Sequence, residues 1–262
     1  MCQRFSGYIF WKYLKLGILL SILFSMASCK EKETSPLLIA TSANMQFAMQ
    51  ELVNQFEKQT NVPCEIVLGS SGKLSALILE GAPYHLFVSA DMNYPLHLFE
   101  EGKAIAPPKA YALGKLVLWS MKDSFPDWQH FKPKEIQHFA IPNPKVAPYG
   151  SAAIEALKQA GLYEQLSSKL VLGENVAQTT QYITSGAAEA GIVSKSIVSI
   201  KEQEKTGFWC HIPESDYTPV SQGVVLLKSG TKNSSAIDFY NFLFSIEGKR
   251  ILNTFGYDEP AS

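Results

Sequence analysis

The sequence predicts an α/β protein built from mainly parallel sheet with helices on both faces, in two lobes. Three observations carry this. Short apolar runs alternate with amphipathic helical stretches along most of the chain, the pattern of strand–helix–strand units whose crossovers cover a sheet. The turns between runs and helices are short and rich in Ser, Gly, Asn and Pro, residues that favour tight turns and helix starts. A second series of strand–turn–helix units begins after Trp119, which implies a second lobe, with the chain later returning to the first.

Residues 37–40 (Leu-Leu-Ile-Ala) form a buried strand and Thr41-Ser42-Ala43-Asn44 its turn. Met45, Met49, Leu52, Val53 and Phe56 then recur at helical spacing,. Asn44 sits where an N-cap or a ligand-facing amide belongs. Residues 64–68 are the next strand, Gly69-Ser70-Ser71-Gly72 its turn, and Leu74, Leu77 and Ile78 mark one face of a helix stopped by Gly81-Ala82-Pro83,. A third strand covers 85–90, and Asp91 caps the helix carrying Leu96, Leu98 and Phe99. Residues 115–119 are another strand, followed by a connection through Phe125, Trp128 and Phe131. The second series runs from a strand at 139–141 through a proline-rich turn and Tyr149-Gly150-Ser151 to a helix at 152–160. Residues 170–172 lead through Gly173-Glu174-Asn175-Val176 to another helix; strands follow at 192–193 and 224–227, then closing helices at 238–244 and 247–255. The lobes are expected at 37–114 with 218–262, and at 115–217.

Two of these turns suggest a ligand class. A helix's first turn has backbone N–H groups without intrahelical acceptors and a partial positive charge, so it attracts anions. Both the Thr41–Asn44 turn and the Gly69–Gly72 turn follow a strand and open a helix. Ligands collect at the carboxyl ends of strands in such sheets. Ser42, Asn44, Ser70, Ser71, Tyr149, Gly150 and the backbone near Val176 are all uncharged. A cleft of neutral donors suits a compact, fully ionised oxyanion and spares the cost of desolvating a buried lysine.

Composition narrows the rest. The 262 residues carry a net charge of −1 with scattered Lys and Arg, which offers no footprint for nucleic acid. There are four cysteines and no Cys-x-x-Cys pair, so neither a zinc site nor a thioredoxin-like motif is indicated. Gly69-Ser70-Ser71-Gly72-Lys73 fails as a Walker loop, because Val67 and Leu74 replace required residues,. It fails as a nucleophile elbow because Lys73 occupies the final glycine,. His85, His97, His130, His138 and His211 show no metal spacing,. At the N-terminus, Arg4, Lys12 and Lys15 precede an apolar run at 16–24 and then Ser25-Met26-Ala27-Ser28-Cys29, the layout of an export signal. Ala27-Ser28-Cys29 resembles a bacterial lipoprotein processing site, which makes 1–28 a signal peptide, Cys29 a lipidation site and 29–36 a polar tether; the alternative is plain secretion to the periplasm with Cys29 incidental. Whether Cys64 and Cys210 pair is left open.

Taken together, Ala40-Thr41-Ser42-Ala43-Asn44-Met45, Gly69-Ser70-Ser71-Gly72-Lys73-Leu74, Gly81-Ala82-Pro83, Leu86-Phe87-Val88-Ser89-Ala90-Asp91, Pro142-Asn143-Pro144, Pro148-Tyr149-Gly150, Gly173-Glu174-Asn175-Val176 and Ala190-Gly191-Ile192-Val193 resemble the molybdate-binding proteins of ABC importers, over nearly the whole mature chain. The resemblance implies a type II periplasmic-binding-protein fold, with two α/β lobes joined by crossover strands and closing around molybdate or tungstate. It implies ligand contacts at Ser42, Ala43, Asn44, Ser71, Tyr149 and Val176. It further implies delivery to an ABC permease, no cofactor and no catalysis, in a monomer on the periplasmic face of the membrane. Ser194 stands where several members carry a tyrosine whose phenol reaches the ligand, and Tyr149 is the candidate replacement. The alternatives are a binding protein for sulfate or another tetrahedral oxyanion, and a cell-surface serine hydrolase using Ser71.

Overall fold

The computed structural model describes residues 35–122, 128, 131–199 and 207–260. The expected signal peptide, Cys29, most of the tether, Phe125 and His130 lie outside the described residues.

Two five-stranded sheets organise the chain. In the first, β1 (Leu37–Ser42) lies between β2 (Cys64–Gly69) and β3 (Leu86–Val88), all parallel. β10 (Val220–Leu226) runs antiparallel beside β3, and β4 (Lys109–Gly114) forms the edge antiparallel to β10. In the second, β6 (Phe139–Pro142) lies parallel between β7 (Leu170–Gly173) and β8 (Ala190–Ser194). β5 (Leu116–Ser120) pairs antiparallel with β8 and with the edge strand β9 (Phe208–His211). The parallel strands take up the expected βαβ pattern; the strands where the chain changes sheet are the antiparallel ones. Sequence patterning marked eight of these strands and missed β4 and β9.

Helices join the parallel strands: α1 (Gln46–Thr60) after β1, α2 (Ser71–Leu79) after β2 and α3 (Asn93–Glu100) after β3. In the second sheet α4 (Pro148–Gln159) and α5 (Tyr163–Leu166) follow β6, α6 (Val176–Thr184) follows β7 and α7 (Lys195–Val198) follows β8. α8 (Ser234–Leu243) and α9 (Ile246–Thr254) close the chain. The apolar stripe of α1 buries Met49, Leu52, Val53 and Phe56 with Phe239 and Phe242 of α8; Phe56 meets Phe239 edge-on at 5.1 Å. Leu74 and Ile78 of α2 pack with Phe87 and Leu98 on the sheet's other face. Each such side chain stabilises the fold by about 1.5–3 kcal/mol when fully buried. Trp119, Phe139, Ile141, Leu157 and Ile183 centre the second lobe. Ala90, just beyond β3, belongs to that same apolar cluster, so the two sheets' halves share buried surface.

The crossing between sheets is tight. β4 ends at Gly114 and β5 starts at Leu116. A Cβ at Gly114 would overlap the Tyr149 hydroxyl and lie 2.6 Å from Gln222 Nε2. Only glycine lets these two side chains reach the crossover.

Candidate functional site

Ala43, Asn44, Ser71, Tyr149 and Val176 lie in the first turn of a helix and Ser42 directly before one, and in three places that turn begins earlier than the apolar spacing indicated. After β1 the chain enters a 3₁₀ turn at Ala43–Met45, with Ser42 as its N-cap. α2 starts at Ser71 rather than near Leu74, and α4 starts at Pro148 rather than Ala152. Apolar periodicity registers only where a helix meets the core; the first turn faces elsewhere and carries no such signal.

Following each first-turn N–H to its acceptor identifies the unused donors. In α2, Gly72 N–H donates to Val146 O at 3.0 Å, Lys73 N–H reaches Ser70 Oγ at 3.4 Å and Leu74 N–H bonds Ser70 O at 3.0 Å. Ser71 N–H is left with no acceptor inside the helix. In α4, Pro148 has no N–H, while Gly150 and Ser151 both donate to Ala147 O; Tyr149 N–H is left. In α6, Asn175 Oδ1 accepts from Gln178 N–H at 3.0 Å and Asn175 O accepts from Thr179 N–H at 3.1 Å; Val176 and Ala177 are left. In the 3₁₀ turn the Gln46 N–H returns to Ala43 O, leaving Ala43 and Asn44 at its start. Ser42, Ala43, Asn44, Ser71, Tyr149 and Val176 are all buried.

Contacts between the lobes bring these four starts together. Gly72 of α2 bonds the turn before α4 through Val146. A Cβ at Gly72 would lie 2.7 Å from the Tyr94 hydroxyl and 3.0 Å from Val146 O, so a larger residue would push the Tyr94 ring end aside and press on the Val146 carbonyl. Lys73 Nζ reaches Glu174 Oε1, two residues before α6, at 2.6 Å. The 3₁₀ turn packs against α6, and Ser196 Oγ of α7 donates to Asn44 O at 2.7 Å.

Ser71 is a nominated residue whose side chain can add a donor, and the Ser42 hydroxyl, which makes no capping bond, is another. Ser71 Oγ accepts the Ala90 N–H at 3.0 Å, which leaves the hydroxyl proton for another acceptor. The Asn44 side chain is not the ligand-facing amide that its position suggested. Its Nδ2 donates to Gln222 Oε1 at 2.9 Å and to Tyr257 Oη at 2.8 Å, and its Oδ1 has no hydrogen-bond partner among the described residues. What Asn44 offers the cleft is its backbone. The Tyr149 phenol is likewise engaged: Gln222 Nε2 donates to it at 3.2 Å. Ser194 Oγ lies 2.6 Å from Ser196 Oγ.

Sequence reading missed this buried network of Asn44, Tyr111, Gln222, Tyr257 and Ser196. Tyr111 Oη donates to Gln222 Oε1 at 2.9 Å, and Tyr257 Oη donates to Asn44 O at 2.9 Å. Burial, then the neighbouring tyrosines, hold the Tyr111 phenol well above its usual pKa; burial pushes Tyr257 up to about 12. Both phenols are therefore neutral donors at physiological pH, and burial holds the Tyr149 phenol neutral in the same way. The faint signals were a lone Gln in the apolar run of β10 and a Tyr directly after the helix-ending Gly256.

The ionisable groups nearby have ordinary structural tasks. Asp91 Oδ1 accepts from Tyr94 N–H and Ser89 Oγ, while burial raises its carboxyl pKa; it is not the expected cap, because the helix starts at Asn93 and its N-cap position falls to Met92. His85 Nδ1 accepts the Leu38 N–H at 3.0 Å. Among the described residues no cluster of His, Cys, Asp and Glu could hold a metal ion. The arrangement can hold an anion by backbone and hydroxyl donors.

Comparison with known proteins agrees with that chemistry. The family model for bacterial extracellular solute-binding protein matches residues 37–258. A molybdate-binding protein of Azotobacter vinelandii is 36% identical over 222 residues, covering 84% of this chain and 88% of the relative. One from Rhodobacter capsulatus is 36% identical over 223 residues, with 84% and 87% covered. The solved structure of the Azotobacter vinelandii periplasmic molybdate-binding protein superposes with a TM-score of 0.82 at 33% identity, covering 86% of this chain and all (100%) of that one.

Proposed function

From the chain's membership of the bacterial extracellular solute-binding protein family, alongside molybdate-binding relatives, we propose that it captures molybdate or tungstate outside the cytoplasm and delivers the anion to an ABC permease. The observation that carries this reading is the meeting of four helix starts, each with an uncommitted N–H, at the contact between two lobes. Ala43, Asn44, Ser71, Tyr149 and Val176 supply backbone donors, and Ser42 and Ser71 can add their hydroxyls. Each lobe alone holds part of the set, so the anion favours the state in which the lobes meet. Fixed donors select by size, because they cannot follow a smaller tetrahedron inward.

The rest of the proposal follows from the N-terminus and the sheet order. The lobes are 37–114 with 218–262, and 115–217; the change of sheet between Gly114 and Leu116 supports the first boundary. Residues 1–28 are an export signal, Cys29 is lipidated and 29–36 tether a monomeric lobe pair to the periplasmic face of the membrane. No helix among the described residues is long and apolar enough to cross a membrane. The protein binds and releases its ligand unchanged and needs no cofactor. A serine nucleophile needs a base to take its proton. The recorded partner of Ser71 Oγ is the Ala90 N–H, a donor.

Isothermal titration of the mature chain with molybdate, tungstate, sulfate and phosphate tests the reading. Saturable binding of the first two at low micromolar protein is expected. Silence with both, or tighter binding of sulfate, would overturn it.

A further inference from the structure

Asn44 is held more completely than a residue that contributes only a backbone N–H requires. Its carbonyl receives two hydrogen bonds, from Tyr257 Oη at 2.9 Å and from Ser196 Oγ at 2.7 Å. Its side-chain amide donates to the same Tyr257 oxygen at 2.8 Å and to Gln222 at 2.9 Å. Tyr257 thus grips one residue at two points, as donor and as acceptor, closing a ring through the side chain and the carbonyl. Fixing both ends of a residue fixes its backbone dihedrals, and with them the direction of the N–H groups in a single 3₁₀ turn. Such a turn has few internal hydrogen bonds to hold itself.

The grip draws on both halves of the molecule. Asn44 follows β1 of the first sheet, whereas Ser196 lies on α7, after β8 of the second. Tyr257 comes from the C-terminal segment, which is itself pinned to the sheet crossover: Leu113 N–H donates to Asp258 O at 2.8 Å and Asp258 N–H to Leu113 O at 3.0 Å. Lys115 adds an ion pair to Asp258. The phenol therefore sits where the position of the crossover is felt, and its ring is buried.

We propose that Tyr257 is the positioning residue of the oxyanion site: from within the same lobe it holds Asn44 at both its side chain and its carbonyl, Ser196 of the other lobe adds a bond to that carbonyl where the lobes meet, and together they set the first-turn donors and slow release of the anion. The inference rests on the capture of molybdate proposed above. It assigns no ligand contact to Tyr257 itself. Preorganised donors bind more tightly because their ordering cost is met before the ligand arrives, and substitutions that loosen a bound complex without changing how the partners meet act mostly on dissociation.

Two measurements on the Tyr257→Phe variant decide it. Stopped-flow binding of molybdate should show a dissociation rate raised about tenfold, as expected for loss of one or two buried hydrogen bonds, with the association rate within about twofold of wild type. Hydrogen exchange of the unliganded protein should show faster exchange in peptides covering Ala43–Met45 and no comparable change in α8. A purely structural tyrosine would lower the melting temperature without separating these rates. Should Tyr257→Phe fail to fold, Ser196→Ala removes the second donor to the same carbonyl and should speed dissociation in the same direction. A dissociation rate within twofold of wild type in the folded variant overturns the proposal. If the wild-type chain does not bind molybdate, the capture reading fails instead, and the exchange data alone decide whether Tyr257 holds the turn.

Discussion

The interior of the contact between the lobes and its rim are built from different chemistry. Inside, Asn44, Tyr111, Tyr149, Gln222, Tyr257 and Ser196 are uncharged, buried and joined by hydrogen bonds of 2.7–3.2 Å. At the rim, Lys73 and Glu174 form a 2.6 Å ion pair with side chains 58% and 47% exposed, and Tyr94 Oη only grazes Lys145 O at 3.5 Å. Breaking an interior bond leaves a buried partner unsatisfied, at about 1–3 kcal/mol. An exposed ion pair contributes about 0–1 kcal/mol and weakens with salt. The difference teaches where substitutions bite: on the proposed reading, breaking the neutral interior should cost affinity, and changing the rim's charges should act mainly on encounter.

The largest test of that contrast is Asn44→Asp. The side chain is isosteric, but it replaces the Nδ2 donor to Gln222 and Tyr257 with an acceptor and puts an unpaired negative charge into the buried network that positions the first-turn donors. An uncompensated buried charge costs about 3–5 kcal/mol, so molybdate affinity should fall by more than about 100-fold in a titration. A smaller loss would show that the interior is wetter than the structure indicates. Ser71→Ala comes next, with an expected loss of about 1–3 kcal/mol if the hydroxyl donates from a desolvated position. Unchanged affinity would mean that the Ser71 N–H carries the contact by itself. Lys73→Ala should cost less than about 1 kcal/mol. Its effect should fall mainly on the association rate and shrink as salt is raised.

The smallest expected effects concern pH. The three interior phenols are held above their ordinary pKa, chiefly by burial, so they stay neutral across the physiological range. Molybdate affinity should therefore agree within about twofold between pH 7 and pH 9. His85 provides the contrast. Burial lowers its pKa below 6.5, and its Nδ1 must be unprotonated to accept the Leu38 N–H. The unfolded chain takes up that proton first as the solution is acidified, so this contribution is complete above pH 6.5. It is lost as pH falls through the lowered folded pKa. The melting temperature should drop modestly between pH 7 and pH 5, and His85→Gln should flatten that dependence.

Much of this was legible in the sequence because parallel strands buried on both faces are continuous apolar runs, and β1, β3 and β6 are of that kind. β4 reads as Lys-Ala-Tyr-Ala-Leu-Gly and β9 as Phe-Trp-Cys-His. Both are edge strands whose mixed composition carries neither a continuous nor an alternating signal. The nominated site residues came from turn chemistry and family resemblance, and the structure places each at a helix start. The interior network was not legible, since residues 44, 111, 149, 196, 222 and 257 meet only through the fold. Apolar spacing also located α2 and α4 too late, by the very turn whose N–H groups matter.

The central claim is that uncommitted N–H groups from four helix starts enclose the anion. A crystal of the mature chain grown with molybdate, with the molybdenum located by its anomalous signal, tests it most directly. The expected result is one peak whose oxygens lie within hydrogen-bond reach, about 2.7–3.2 Å, of backbone nitrogens from the Ala43–Met45 turn, Ser71, Tyr149 and Val176. A peak in the hollow of about 290 Å³ beside Asp91, Glu155 and Thr218, or one held by lysine side chains, would contradict it.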